Sequence, residues 1–284
     1  MMNYIKKFIR FNINKKRSNI DKTIKFNNTL LNRTNLTYFI RSFGNKNKNK
    51  TFYVIQRFRG GGMFSNLNFV IHHLLIAKNL ESLAKGEINR LAVFMPPRHG
   101  KSMLCSEFFP AWYLGNNPNE FVIQSTYAQE LADDFGRKVR NQLASPDFNS
   151  VFPQVGLRAD SSSAKRFHTM QGGTYSAVGA GGAITGRGAH LLIIDDPIKG
   201  REDAESETQR RNLVEWYKSV AYTRLQPGGK IIIVQTRWHQ DDLAGHILAE
   251  SKEDWKVLDL PAIDDKGNAL WPEAYSKKDL EKIK

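Results

Sequence analysis

Four short, uninterrupted apolar runs constrain this chain more than any other feature: Leu91-Ala92-Val93-Phe94-Met95, Phe121-Val122-Ile123, Leu191-Leu192-Ile193-Ile194 and Ile231-Ile232-Ile233-Val234. A strand that is apolar on both faces belongs inside a parallel sheet with helices on either side. The segments between the runs have helical period. Residues 68–85 place Phe69, Ile71, Leu74, Leu75, Leu80 and Leu83 on one stripe, stopped by Gly86. A second helix is predicted from Lys101 to about Leu114, closed by Gly115, and a third over 127–143 with Leu131, Phe135, Val139 and Leu143 in step. Residues 150–190 are rich in Gly and Ser and read as loops plus a hairpin around Gly172-Gly173. A long polar helix is expected from Ala204 to Leu225, a turn at Pro227-Gly228-Gly229, a helix over 241–249 and a short strand near Val257. The alternation predicts an α/β fold, a three-layer αβα domain with a mostly parallel sheet.

Charge divides the chain. The formal net charge of +14 is carried wholly by residues 1–59, whose only acid is Asp21, while residues 60–284 balance. This Lys- and Asn-rich stretch cannot easily bury a core, so residues 1–62 are expected to form a largely disordered basic arm. Three readings stay open for it: an arm that neutralises nucleic-acid phosphates, an acid-poor targeting sequence, or the codon bias of an AT-rich genome, with Met63, after the Gly60-Gly61-Gly62 hinge, as an alternative start. Residues 63–262 then form the main domain, and residues 263–284 a linker. The single cysteine, Cys105, excludes a disulfide scaffold and a multi-cysteine zinc site and fits a reducing compartment. No apolar run approaches the roughly 18–20 residues that span a bilayer.

The first strand runs into Pro96-Pro97-Arg98-His99-Gly100-Lys101-Ser102-Met103 and then a helix. A phosphate chain needs amides at a helix N-terminus, a glycine that lets it approach, a lysine charge, and a hydroxyl for Mg²⁺. Pro97 to Met103 offer these in order, with Lys101 at the phosphates and Ser102 at the metal. The first glycine of the usual pattern is absent, since Met95 stands there. Arg98 is placed to reach a γ-phosphate in cis or in a neighbouring subunit. At the end of the third run, Asp195 is the expected metal ligand and Asp196 the group that orients or deprotonates water, with Glu202 and Asp203 as alternatives. Gln235 and Thr236, after the fourth strand, are candidate γ-phosphate contacts. Arg237 and His239 are candidates for nucleic acid or a neighbour, His239 equally for a helix cap, and Trp238 for the core. The glycine-rich Gly179–Gly188 stretch precedes a strand instead of following one, which excludes a dinucleotide fingerprint. It is read either as a mobile loop that carries Arg187 to a phosphate or partner or as a plain flexible linker. Together these features predict a P-loop nucleotide hydrolase that uses ATP and Mg²⁺; its RecA-like form is implied by the family resemblance that follows.

The ordered set from Pro96 to Ser102, Gly182 to Gly188, Leu192 to Pro197 and Gln235 to His239 resembles the large terminase subunit of tailed bacteriophages and prophages, over roughly residues 68–275. The resemblance implies an ATPase that pumps double-stranded DNA into a capsid, acting as a homo-oligomeric ring with portal and small terminase subunit as partners, in the cytoplasm of a bacterial host. It places the helix around His72 and His73 at the adenine, Ser125-Thr126-Tyr127 at a strand end facing DNA, and Trp271-Pro272-Glu273 at the exit from the ATPase domain. Members usually continue into a nuclease domain. Here Asp264, Asp265, Glu273, Asp279 and Glu281 are too few for its metal cluster, so no DNA cleavage is expected. Two other readings remain: a helicase-like remodeller, which would need a second such domain, and a truncated prophage remnant that only binds nucleotide.

Overall fold

The computed structural model describes residues 71–184 and 186–282, so the basic arm, Gly60-Gly61-Gly62 and Thr185 lie outside the described residues. Eight strands form one sheet: β1 (Arg90–Phe94), β2 (Phe121–Thr126), β3 (Leu157–Ser162), β4 (Arg166–Thr169), β5 (Thr174–Gly179), β6 (Ala189–Asp195), β7 (Leu225–Gln235) and β8 (Lys256–Asp259). Their order is β3-β4-β5-β2-β6-β7-β1-β8. From β5 to β8 every neighbouring pair is parallel, and β4 is antiparallel to both its neighbours. The fold is therefore α/β with a mixed, mostly parallel sheet.

The apolar runs dictate this layering. Alternate residues of a strand point to opposite faces. Leu191 and Ile193 join one core cluster with Leu91, Val93, Ile232 and Val234; Leu192 and Ile194 join the other with Ala92, Phe94, Ile231 and Ile233. The first face is covered by α1 (Ile71–Ala84), the helix that begins at Lys101 and ends as α2 (Phe109–Asn116), α3 (Gln129–Leu143) and α4 (Pro146–Val151). The second is covered by α6 (Glu207–Trp216) and α7 (Leu243–Glu250). Two shorter helices complete the fold, α5 (Arg201–Glu205) and α8 (Lys277–Glu281).

Several sequence expectations are corrected. The helix that begins at Lys101 does not end at Gly115, which lies inside α2 where an added Cβ would sit 2.5 Å from the Phe152 ring. Close packing, not termination, is the reason for that glycine. The same helix is π-wound over Met103–Phe108. The long helix expected over 204–225 is broken at Ser206, whose hydroxyl caps α6 by accepting from the Gln209 N–H. It then closes through a π turn and a 3₁₀ turn before β7. Pro227-Gly228-Gly229 is not a free turn but part of β7. There the pairing with β6 shifts register and Gly228 takes φ 75°, a bulge that glycine accommodates without strain. Residues 150–190 carry three strands, and the hairpin at Gly172-Gly173 joins β4 to β5, so the segment extends the main sheet.

Gly136, in the middle of α3, faces the β3–β4 turn, where an added Cβ would lie 2.0 Å from the Ala164 carbonyl oxygen. An exposed helix glycine changed to alanine gains about 1 kcal/mol. Here Gly136→Ala is predicted to do the opposite and lower stability by about 1–3 kcal/mol, measured by urea denaturation.

Candidate functional site

The carboxyl ends of β6, β7 and β1 are adjacent, with β7 in the middle, so three strand ends separated in sequence deliver one cluster of polar groups. From β1 the chain passes through Met95 to Gly100. Arg98 (φ 63°) and Gly100 (φ 93°) both adopt left-handed backbone, the tight path that turns a strand into a helix start at Lys101. An added Cβ on Gly100 would lie 2.6 Å from His73 Nε2, so the loop and α1 approach as only glycine permits.

Lys101 is 5% exposed. Its Nζ pairs with Asp196 Oδ2 at 2.9 Å and donates to Thr236 Oγ1 at 3.0 Å. The Thr236 backbone N–H donates to Asp196 Oδ1 at 2.7 Å, closing a triangle of loop, β6 end and β7 end. Asp196 takes φ 42°, an unusual backbone for a non-glycine residue. Asp195 is 1% exposed. Ser102 Oγ donates to its Oδ1 at 3.1 Å and Ser106 Oγ to its Oδ2 at 2.6 Å. Burial, with the Asp196 charge adding to it, pushes the Asp195 carboxyl well above the usual carboxylate range; the two hydroxyls and the Lys101 charge pull the other way.

The structure thus brings Lys101, Ser102, Asp195, Asp196 and Thr236 together. Met103 opens the π-wound turn and is buried. Gln235 is buried beside the loop and its carbonyl accepts from the Met95 N–H. Pro97 is exposed, and its carbonyl pairs with His99 Nδ1 at 2.9 Å. The Arg98 side chain is exposed and has no ion-pair partner among the described residues. Glu202 and Asp203 are not brought to the cluster. They lie on α5, where Asp203 lines a separate cleft of 730 Å³ with Tyr127, Glu130, Asp134 and Lys199.

His72 and His73, whose helix the resemblance puts at the adenine, are each 4% exposed and packed against Trp271. His73 Nε2 lies 2.8 Å from the His99 carbonyl oxygen, so this pair underpins the loop. Ser125 and Thr126 are fully buried, leaving Tyr127 as the exposed side chain of that strand end. Arg237 is exposed, with Nε donating to Asp242 at 2.7 Å and the guanidinium over Phe94. His239 Nδ1 accepts from the Asp241 N–H just before α7, and Trp238 is 42% exposed, not core. The glycine-rich loop is pinned by Ile184 in the core and by Trp216 donating to the Gly182 carbonyl; Arg187 is partly exposed. Sequence reasoning missed Ser106. Its signal was present, a second hydroxyl one helical turn after Ser102. Nothing in the sequence pointed to Tyr275, whose ring stacks on His99.

A strand-to-helix loop with a buried lysine, facing acidic residues from a non-adjacent parallel strand, defines the class of α/β proteins with a polar site at the carboxyl edge of the sheet. Within that class the family is specific. Residues 93–282, more than half of the chain, match the family model for the terminase large subunit, T4likevirus-type, N-terminal, and the chain belongs to that family of DNA-packaging proteins. No curated protein matches the chain. Among the described residues, no helix is long and apolar enough to cross a membrane.

Burial lowers His72 from its ordinary value of 6.5 to about 3 and His73 to about 4, with the neighbouring imidazoles adding to the effect. Both side chains are neutral in the folded state at pH 7. The unfolded chain takes up protons on them first as pH falls, so their contribution is complete above about 6.5 and is lost toward about 4 and below. The raised Asp195 carboxyl works in the opposite direction over the same range, so the histidine contribution is read as the difference between the urea-denaturation profiles of the wild type and His72→Gln. His72→Gln is expected to lose less stability than the wild type as pH falls from about 6.5 toward 4, and parallel profiles for the two proteins would contradict this account.

Proposed function

We propose that this chain is the ATP-hydrolysing motor domain of a DNA-packaging terminase, built as a RecA-like P-loop domain that drives double-stranded DNA into a capsid. The observation that carries the reading is the 3.1 Å contact between Ser102, at the start of the loop helix, and Asp195, at the end of β6. One strand, β7, separates the loop strand from the carboxylate strand. That spacing supports the RecA-like assignment, because it leaves room for a third strand end to read the same phosphate.

The residues fit magnesium. Ser102 and Asp195 are hard oxygen donors of the kind Mg²⁺ takes, and Asp195 is a buried carboxylate whose hydrogen bonds come from hydroxyls instead of a fixed cation. When bound with the triphosphate, the ion would neutralise phosphate charge. The remaining chemistry belongs to the chain. The loop amides from His99 to Ser102 would hold the β-phosphate, and Lys101 would leave Asp196 to pair with the β- and γ-phosphates. Asp196, so released, would orient a water and accept its proton as the water oxygen bonds to the γ-phosphorus and the bond to the bridging oxygen breaks. Asp196, not Glu202, is assigned this role because it already touches Lys101. Thr236, bonded to both, would register the loss of the γ-phosphate, with Gln235 beside it. Arg98 would add positive charge in the transition state. By resemblance, the partners are double-stranded DNA, a portal, a small terminase subunit and further copies in a ring, in a bacterial cytoplasm.

ATP hydrolysis by the purified chain, with and without duplex DNA, tests this directly. Lys101→Ala is predicted to abolish turnover with an unchanged circular dichroism spectrum. Asp196→Asn should lower kcat by roughly 10²–10³-fold while keeping nucleotide binding. Wild-type turnover in either variant would refute the assignment.

A further inference from the structure

The phosphate loop is held by a segment far from it in sequence. After β8 the chain is tied back to the end of β1, where the Leu260 N–H donates to the Phe94 carbonyl at 2.9 Å, and then to itself through Leu270 and Ala262. A turn follows in which the Tyr275 N–H donates to the Trp271 carbonyl at 2.8 Å, bringing two aromatic rings to one place. Trp271 is fully buried, with its ring 5.2 Å from that of His73 and 6.1 Å from that of His99. Tyr275 is half-buried and lies nearly parallel to His99 at 4.7 Å.

His99 is the loop side chain that these contacts grip. Its carbonyl meets His73, its Nδ1 meets the Pro97 carbonyl, and its ring meets Tyr275. On either side of it, Arg98 and Gly100 hold left-handed backbone. Such a path persists only where its surroundings over-determine it. Gly100 leaves no slack on the α1 side, because His73 fills the space a Cβ would need.

We propose that Tyr275 is a positioning residue for the phosphate loop, its ring on His99 fixing the loop amides in the geometry that receives a nucleoside triphosphate, with Trp271 as the buried anchor of that contact. The inference deepens the nucleotide-binding reading above and rests on it. It also makes the segment after the sheet part of the nucleotide site, so a displacement of that segment reaches the loop through the rings of Tyr275 and Trp271 beside His99.

Tyr275→Ala in the full chain is the informative variant, since a half-buried ring can be removed without emptying the core, and Tyr275→Phe keeps the stack. An aromatic pair contributes about 0.5–1.5 kcal/mol, which converts to a roughly 2–12-fold larger dissociation constant. Titration with Mg–ATPγS should show that loss for Tyr275→Ala and near wild-type binding for Tyr275→Phe, with KM rising and kcat within about 2-fold. Trypsin cleavage after the exposed Arg98 reads the loop without nucleotide and should be faster in Tyr275→Ala alone. Wild-type affinity in Tyr275→Ala, or equal losses in both variants, would overturn the proposal. If the wild-type chain binds no triphosphate, the nucleotide reading fails. The cleavage rates then decide the positioning role: faster cleavage in Tyr275→Ala upholds it and unchanged cleavage ends it.

Discussion

Asp195 carries a carboxylate to the end of β6, where the sheet and the loop helix close over it and water has almost no access. Moving a charge out of water costs several kcal/mol unless hydrogen bonds and nearby opposite charge compensate. The surrounding chain supplies both. Ser102 and Ser106, one helical turn apart, occupy the two carboxylate oxygens, and Lys101 contributes positive charge from the same helix start. Lys101 is itself buried and is compensated by Asp196 and Thr236. These shared contacts tie the ends of β1, β6 and β7 into one unit.

That unit is assembled on strained backbone. Arg98 and Asp196 are the non-glycine residues with positive φ among the described residues, and they stand at the two ends of the same cluster. Left-handed backbone costs of order 1–3 kcal/mol at such a residue. At Asp196 the cost is offset by its backbone N–H bond to the Val234 carbonyl, by its carbonyl accepting from Tyr127, and by its side chain, which accepts from Thr236 and pairs with Lys101. At Arg98 the flanking contacts of His99 and Gly100 do the equivalent work. Strain at both poles of a site holds side chains where relaxed backbone would not direct them.

The parts of this arrangement that could be read from the sequence are those encoded locally. Leu191–Ile194 followed by Asp195-Asp196 announces a buried strand ending in acid, because only a parallel interior strand tolerates an apolar run on both faces. Gly100-Lys101-Ser102 announces a loop and helix for the same local reason. What could not be read depends on contacts between distant segments. The π-wound turn at Met103–Phe108 leaves no compositional trace. The glycine at 115 looks like a helix stop until Phe152 is placed against it. Pro227-Gly228-Gly229 looks like a turn, yet pairing with β6 draws it into a strand as a bulge. Trp238 resembled a core residue by chemistry, but the strand had ended and its neighbour Arg237 took the packing position over Phe94. His72 and His73 lay on a recognisable helix, while their buried position came from Trp271, some two hundred residues later.

Register is what finally converts a strand pattern into a site. Asp195 shares a face with Leu191 and Ile193, the face on which the loop helix lies, whereas Ile194 belongs to the other core. A slip of one residue in the pairing of β6 with β7 would exchange the faces. Asp195 would then point into the α6–α7 layer and Ile194 toward Ser102. The registered pairs Ile193↔Ile232, Ile194↔Ile233 and Asp195↔Val234 prevent this, because each residue displaced by a slip would leave an apolar layer on one side and meet the serines on the other. The bulge at Gly228 lies at the opposite end of the same pair, between the pairs Ala189↔Leu225 and Leu191↔Lys230. It takes up the mismatch in length before the carboxyl edge is reached. The irregular part of the strand pair is thereby kept at the opposite end, where the Gly229 carbonyl accepts from Arg90 Nη1 at 2.8 Å, and the regular part carries Asp195 into contact with Ser102 and Ser106.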